Sequence, residues 1–482
     1  MKYNMRESNS SKLFLGVIAL FLVCVFFVSC GEGQRRVDIP EVIPYDQEDI
    51  NQSDTISEPG TDAQPTDSDE TNTIDETTQV GLNEYAVTES MTEPPFPKAT
   101  PASQWRMFRR TPDNMALISA DINLPLGKEW NNGVNPEYRQ VSFGAPAANY
   151  IYGSPAIANG MLYFGVKLGY VQAHKFETTA YQWRLMEPLK GSITTSIAAD
   201  DDRIYFGTSG GGKMFAYDQQ SDTQIWSFQT GGNISAPPLA EEATRAPIIM
   251  SSPKIVGDRL YFGAFDGKMY CLNTEDGSVV WEFATAGKIY SSPAIASGRL
   301  YFANFDGDMF CLSADTGDEI WKITLPKPTS CSPVVFGPRV WIGCKNAKMY
   351  CLRAFNGETL WEYQAPDSDF GIETCPAIDE KNCYFGDTSG HFTCLNRKTG
   401  DEVWQSQVTD KPISSAPVLA DGKIFFGSHD THLYVLDKTT GETLDSFKAN
   451  GSIIASPVII GNEVIAPSYD AYVYILRGVN YN

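Results

Sequence analysis

The feature that most limits the fold of this chain is a stretch of about forty residues that it repeats. Residues 251–283 read SSPKIVGDRLYFGAFDGKMYCLNTEDGSVVWEF, and residues 291–323 read SSPAIASGRLYFANFDGDMFCLSADTGDEIWKI. Repetition at such a period implies stacked units that bury a core only against one another. Eight copies of the opening cue can be followed: GSPAIANG at 153, TSIAADDD at 195, SSPKIVGD at 251, SSPAIASG at 291, CSPVVFGP at 331, TCPAIDEK at 374, SAPVLADG at 415 and ASPVIIGN at 455. Most lead into an aromatic run such as RLYFG, a turn such as FDG, a run such as KMYCLN, a second turn such as TEDG, and a tryptophan. Period-two alternation broken by DG and TG turns reads as short antiparallel strands, with no helical stretch between them. Four strands in ~40–50 residues make a propeller blade. The expected fold is therefore all-β, an eight-bladed β-propeller over residues 101–482.

The closing residues count the blades: Trp183, Trp226, Trp281, Trp321, Trp361 and Trp404, followed by Leu444. The eighth unit ends without such a residue, and Trp130 stands ahead of the first unit with no inner strands of its own. The strand bearing Trp130 is thus expected to complete the last blade and close the ring, which removes exposed sheet edges. Each indole is expected to fill the gap against the next blade.

Two different segments precede the repeats. Residues 1–29 carry Lys2, Arg6 and Lys12 ahead of the apolar run LFLGVIALFLVCVFFV, the pattern of an export signal. FVSC resembles a bacterial lipobox, which would make Cys30 a lipidated N-terminus and, with Gly31 following, favours the outer membrane. Residues 30–100 read as an acidic tether, with seventeen Asp/Glu in residues 31–100 against Arg35, Arg36 and Lys98. Such a composition cannot bury enough surface to offset chain entropy. The formal charge of −22 argues against a nucleic-acid partner, since a phosphate backbone attracts a basic face.

The A/C-L-x-x-x-T/D-G-x-x-x-W pattern resembles the tryptophan-docking repeat of quinoprotein-like (PQQ-like) β-propellers, and QWRMFRRTPDN at 104–114 looks like the lead-in to such proteins. A lipoprotein with eight such blades is similar to the BamB family of the outer-membrane β-barrel assembly machinery. That resemblance implies a non-catalytic, lipid-anchored monomeric scaffold in the envelope, with protein partners that include a BamA-like barrel assembly protein. The quinoprotein dehydrogenases of the same superfamily use pyrroloquinoline quinone and calcium. Here no two cysteines are adjacent. The inner-strand ends, three residues before each cue proline, are Tyr152, Thr194, Met250, Tyr290, Ser330, Glu373, Ser414 and Ile454. One carboxylate in that set falls short of the several oxygen ligands calcium requires, so neither cofactor nor metal is expected.

The same axial positions, Tyr152, Thr194, Tyr290, Ser330, Glu373 and Ser414, are the candidates for an alternative role in binding a glycan or small ligand. For protein docking the candidates come from two long connections, 138–150 and 236–250, since long loops tend to carry function. They are Tyr138, Arg139, Phe143, Arg245, Ile248 and Ile249. Eight propeller cysteines read as small buried free thiols, with Cys331–Cys375 the one pair worth testing for a disulfide. His429 and His432 read as turn residues, and GTSGGGK at 207–213 as a long turn.

Overall fold

The computed structural model describes Glu93, Pro94 and Gln104, most of residues 106–126, and residues 138–142, 150–185, 189–232, 248–366 and 371–477. These belong to a compact unit, Tyr85–Asn482. The leader, Cys30, Trp130, Phe143 and Arg245 lie outside the described residues.

The described residues contain strands and no helix, arranged as eight blades of antiparallel strands. Blade 3 is typical: Lys254–Val256, Arg259–Gly263, Lys268–Asn273 and Val279–Ala284, in that order from the axis outward. The second and third strands are almost wholly buried, because neighbouring blades cover both of their faces. The outermost alternates between buried and exposed residues. Blade 7 gains a fifth strand, Leu117–Ile118, which pairs in parallel with its innermost strand.

The ring is closed by an N-terminal strand, but a different one from that expected. Tyr138–Ser142 pairs antiparallel with Tyr472–Arg477 of blade 8, in a register that sets Tyr138 opposite Leu476 and Ser142 opposite Tyr472. The closing strand therefore starts eight residues beyond Trp130. Tyr138 and Arg139, expected in a rim loop, belong to this outer strand, because the last blade has no other outermost strand to pair with.

Six of the eight seams between blades are built around one main-chain carbonyl. The Trp281 indole donates to the Ala314 carbonyl at 3.0 Å, and the Tyr261 hydroxyl donates to the same oxygen at 3.1 Å. Gln219, Thr274 and Ala354 accept the same pair from Trp183 and Tyr163, Trp226 and Tyr205, and Trp321 and Tyr301. At Arg397 the donors are Trp361 and Trp341, and Trp404 donates to Lys438. Beneath each indole from Trp226 to Trp404 lies the turn glycine of the next blade. At Gly357, where φ is 76°, a Cβ would come within 2.8 Å of Trp321. No L side chain fits there without strain.

The residue paired with each tryptophan is small: Ala173, Ala216, Cys271, Cys311, Cys351 or Cys394, with a bulge beside it. All eight propeller cysteines are buried and free. Burial raises the thiol pKa of Cys271, Cys311 and Cys394, which suppresses thiolate chemistry.

Trp281→Ala should cost about 3–5 kcal/mol, because it removes a buried indole and leaves the Ala314 carbonyl with one donor. The midpoint of urea unfolding measures it.

Candidate functional site: the axial cavity and its mouth

The innermost strands converge on the axis, and the residue before each cue proline forms a ring around it. Ser196 Oγ accepts from the Ser154 amide at 3.0 Å, Ser252 Oγ from Ser196 at 3.0 Å, Ser292 Oγ from Ser252 at 2.9 Å and Ser332 Oγ from Ser292 at 2.9 Å. Ser456 Oγ accepts from the Ala416 amide at 3.0 Å, and Ser154 Oγ donates to the Ser456 carbonyl at 2.9 Å, linking blades 8 and 1. In blades 6 and 7 the serine is replaced by Cys375 and Ala416, so no hydroxyl accepts across seams 5–6 and 6–7.

The N-terminal lead-in plugs the axis from one end. Arg109 is 1% exposed, and its guanidinium donates to the Pro417 carbonyl and, at 2.8 Å, to that of Pro376. These carbonyls belong to the two blades that lack the serine. Asn114 Nδ2 donates to the Pro333 carbonyl at 2.7 Å and to that of Pro293 at 3.4 Å. Two side chains thus collect the cue-proline carbonyls of four successive blades. Arg109, Arg110 and Asn114 hold left-handed backbone (φ 59°, 66° and 65°), a strain that persists only where surrounding contacts impose it. Lys254, fully buried in blade 3, fastens the plug by donating from Nζ to the Phe108 carbonyl and, at 2.8 Å, to that of Thr111. Burial pushes its pKa down to about 7.

Above the plug lies a cavity of about 190 Å³. Phe108 and the serine ring line it, together with Tyr152, Thr194, Met250, Tyr290, Ser330, Glu373, Ser414 and Ile454, the eight inner-strand ends. Glu373 Oε1 pairs with Lys345 Nζ at 2.9 Å. Burial, and then Glu373, push Tyr290 up to about 12, so it remains a neutral phenol at physiological pH. His429 Nε2 sits 3.0 Å from Ser414 Oγ, and burial lowers its pKa against the opposing pull of Glu373 and Asp430. His432 faces Asp430 within its own blade.

A second ring, missed in the sequence reading, surrounds this mouth. It is formed by the hairpin tips between second and third strands: Lys167, Ser209, Phe265, Phe305, Lys345, Thr388, His429 and Tyr469. In the seven blades other than blade 2 the tip amide donates to the carbonyl five residues before the cue proline, as when Phe305 N donates to Lys288 O at 2.7 Å. The tip backbone is therefore fixed while its side chains are free to differ. With residues leading into the inner strands, the aromatic tips form two walls: Tyr150, Tyr152 and Tyr469, with centroids 5.0–6.3 Å apart, and Phe265, Tyr290 and Phe305, in contact at 4.4 and 4.9 Å. Lys167, Lys288 and Lys345 each lie over one of these rings.

The proposed rim residues fare differently. Ile248 makes an isolated bridge with Ser209 at this mouth. Ile249 is fully buried against Gly207, so its side chain is packing rather than contact surface. The GTSGGGK run forms the blade 2 turn between two strands.

A family model described as outer membrane protein assembly factor BamB matches residues 167–249 and 243–367. The chain is a PQQ-like propeller that resembles BamB. BamB of Kangiella koreensis is 30% identical over 107 residues, 21% of this chain and 26% of that protein. The chain spans no more than about a quarter of the length of the curated relatives it matches, and 8% of a Danio rerio beta-alanine-activating enzyme. The structure of BamB from Moraxella catarrhalis aligns with a TM-score of 0.58 at 17% identity, covering 73% of this chain and 99% of that one. Quinohemoprotein alcohol dehydrogenase from Comamonas testosteroni aligns at 0.63 and 11% identity, covering 78% and 81%. At such identities the structural matches speak for the fold alone.

The residues present do not fit quinone and calcium. The one carboxylate among the inner-strand ends is neutralised by Lys345, and among the described residues no group of three or more His, Cys, Asp or Glu is placed to hold a metal.

Arg109→Met should cost about 3 kcal/mol through the Pro376 and Pro417 carbonyls it leaves without donors. Cys375→Ser and Ala416→Ser offer hydroxyl acceptors to the neighbouring amides rather than donors to those carbonyls, so the pair should add a similar amount, about 1 kcal/mol, with or without Arg109. Urea midpoints of the four proteins test this.

Proposed function

We propose that this protein is a non-catalytic, lipid-anchored docking scaffold in the cell envelope that serves outer-membrane β-barrel assembly as a BamB-like component. One observation carries the reading. Six blades share the tryptophan seam contact, yet the ring of hairpin tips from Lys167 to Tyr469 differs from blade to blade, as do the inner-strand ends beneath it. Most positions that pack blade on blade repeat, so divergence concentrated at the mouth marks where the molecule meets something asymmetric. Aromatic residues interleaved with lysines suit a protein surface, where aromatic anchors carry most of the binding energy. The connection containing Arg245 leaves and rejoins the ring at this face, between Gly232 and Ile248. Phe143 and Arg245 are further proposed contacts, and Cys30 is the proposed anchor.

The test is crosslinking and co-purification from envelopes with the full-length protein. Phe305→Ser with Lys345→Glu should reduce recovery of a barrel-assembly partner about tenfold, the worth of ~1.4 kcal/mol, without changing the melting temperature. Equal recovery from a folded double variant overturns the assignment of this face.

A second reading draws on Tyr152 and Tyr290 at the cavity wall. A small saccharide could stack there and bond to the serine hydroxyls. Retention on immobilised N-acetylglucosamine oligomers, lost in Tyr290→Ala, would establish it, and passage of the wild type without retention would remove it.

A further inference from the structure

The face opposite the mouth carries a second built site, at the outer part of the seam between blades 5 and 6. Glu93, from the acidic segment ahead of the propeller, places its carboxylate between two arginines far away in sequence. Arg397 donates to it from both terminal nitrogens, Nη1 to Oε1 at 3.0 Å and Nη2 to Oε2 at 2.7 Å. Arg339 Nη1 donates to Oε1, and Lys398 Nζ lies 3.4 Å from Oε2. The Glu93 side chain is 11% exposed, and those of Arg339 and Arg397 are 12% and 3%. Pro94 rests on Gly337, which has φ 54° and where a Cβ would come within 2.8 Å of the proline ring.

The propeller forms this receptor largely by itself. Arg397 Nε donates to the Glu380 carbonyl at 2.9 Å, and its guanidinium lies over Phe336. Its terminal nitrogens are thereby aimed outward as a fork that a carboxylate matches in two places. Two nearly buried cations without an anion would be costly, so the pocket strongly favours holding a carboxylate. Burial raises the Glu93 pKa, but Arg397, Arg339 and Lys398 outweigh it and keep the group ionised.

We infer that the pocket of Gly337, Arg339, Arg397 and Lys398 is a receptor for an acidic Glu-Pro peptide, and that its occupant is the chain's own Glu93–Pro94, which latches the tether to the plug face. The arginine fork reads the carboxylate, and Gly337 reads the proline. The latch fixes Glu93 and Pro94 on the side of the propeller away from the mouth. It operates whether or not the mouth binds a partner.

The experiment uses full-length protein and a fluorescent peptide of residues 85–98. Glu93→Gln empties the pocket without touching the propeller's own residues. The peptide should bind this variant in an anisotropy titration at least tenfold more tightly than it binds the wild type, whose pocket is filled. A peptide carrying Gln at position 93 should lose at least tenfold in affinity, and 1 M salt should weaken the native peptide further. Gly337→Ala in the Glu93→Gln background should also weaken binding, although both arginines remain. The inference is overturned if the native peptide fails to bind a folded Glu93→Gln variant, or if it binds that variant and the wild type equally. Indifference of binding to Gly337→Ala overturns the proline reading.

Discussion

The fold depends on a carbonyl that accepts twice. At six of the eight seams a main-chain oxygen of one blade receives an indole N–H, and at four of these also a tyrosine hydroxyl, from the blade before it. Burying an indole or a phenol is favourable only if its polar atom finds a partner. Here one acceptor serves both rings, so a large aromatic area is removed from water at no polar cost. The turn glycine, the small residue opposite the tryptophan and the bulge beside it are all conditions for seating that indole.

Near the axis the blades are too close for large side chains, and seryl hydroxyls replace the aromatic contact. Where the sequence has Cys375 and Ala416 instead, Arg109 of the plug holds the proline carbonyls of those same two blades. The plug also closes one end of the channel, so the axis forms a cup with a single mouth. Floor and wall therefore have different origins: the floor comes from the lead-in, and the wall from the repeats.

Most of the architecture was legible because it is periodic. Trp281 and Trp321 stand at identical offsets from their turns, and no other fold explains that spacing. The inner-strand ends followed from counting back from each proline, and all eight line one cavity. The closing strand was misplaced because Trp130 looked like a repeat residue, whereas pairing with blade 8 depends on backbone register alone and Tyr138–Ser142 carries no tryptophan to announce it. Lys254 could have been noticed, since other blades place alanine or valine one residue after the cue. Its lysine only makes sense once the plug carbonyls are seen. Glu93 could not have been singled out, because nothing local separates it from the other acidic residues of its segment. Its partners lie more than two hundred residues away.

The seam acceptor has one more consequence, because it belongs to the backbone. A carbonyl is supplied by every amino acid, so the donor side of a blade asks nothing of its neighbour's side chain at that point: Gln219, Thr274, Ala314, Ala354 and Arg397 all serve. Units joined in this way are interchangeable in order. A duplicated segment can be inserted next to its parent and still dock, which suits growth of a gene by tandem copying.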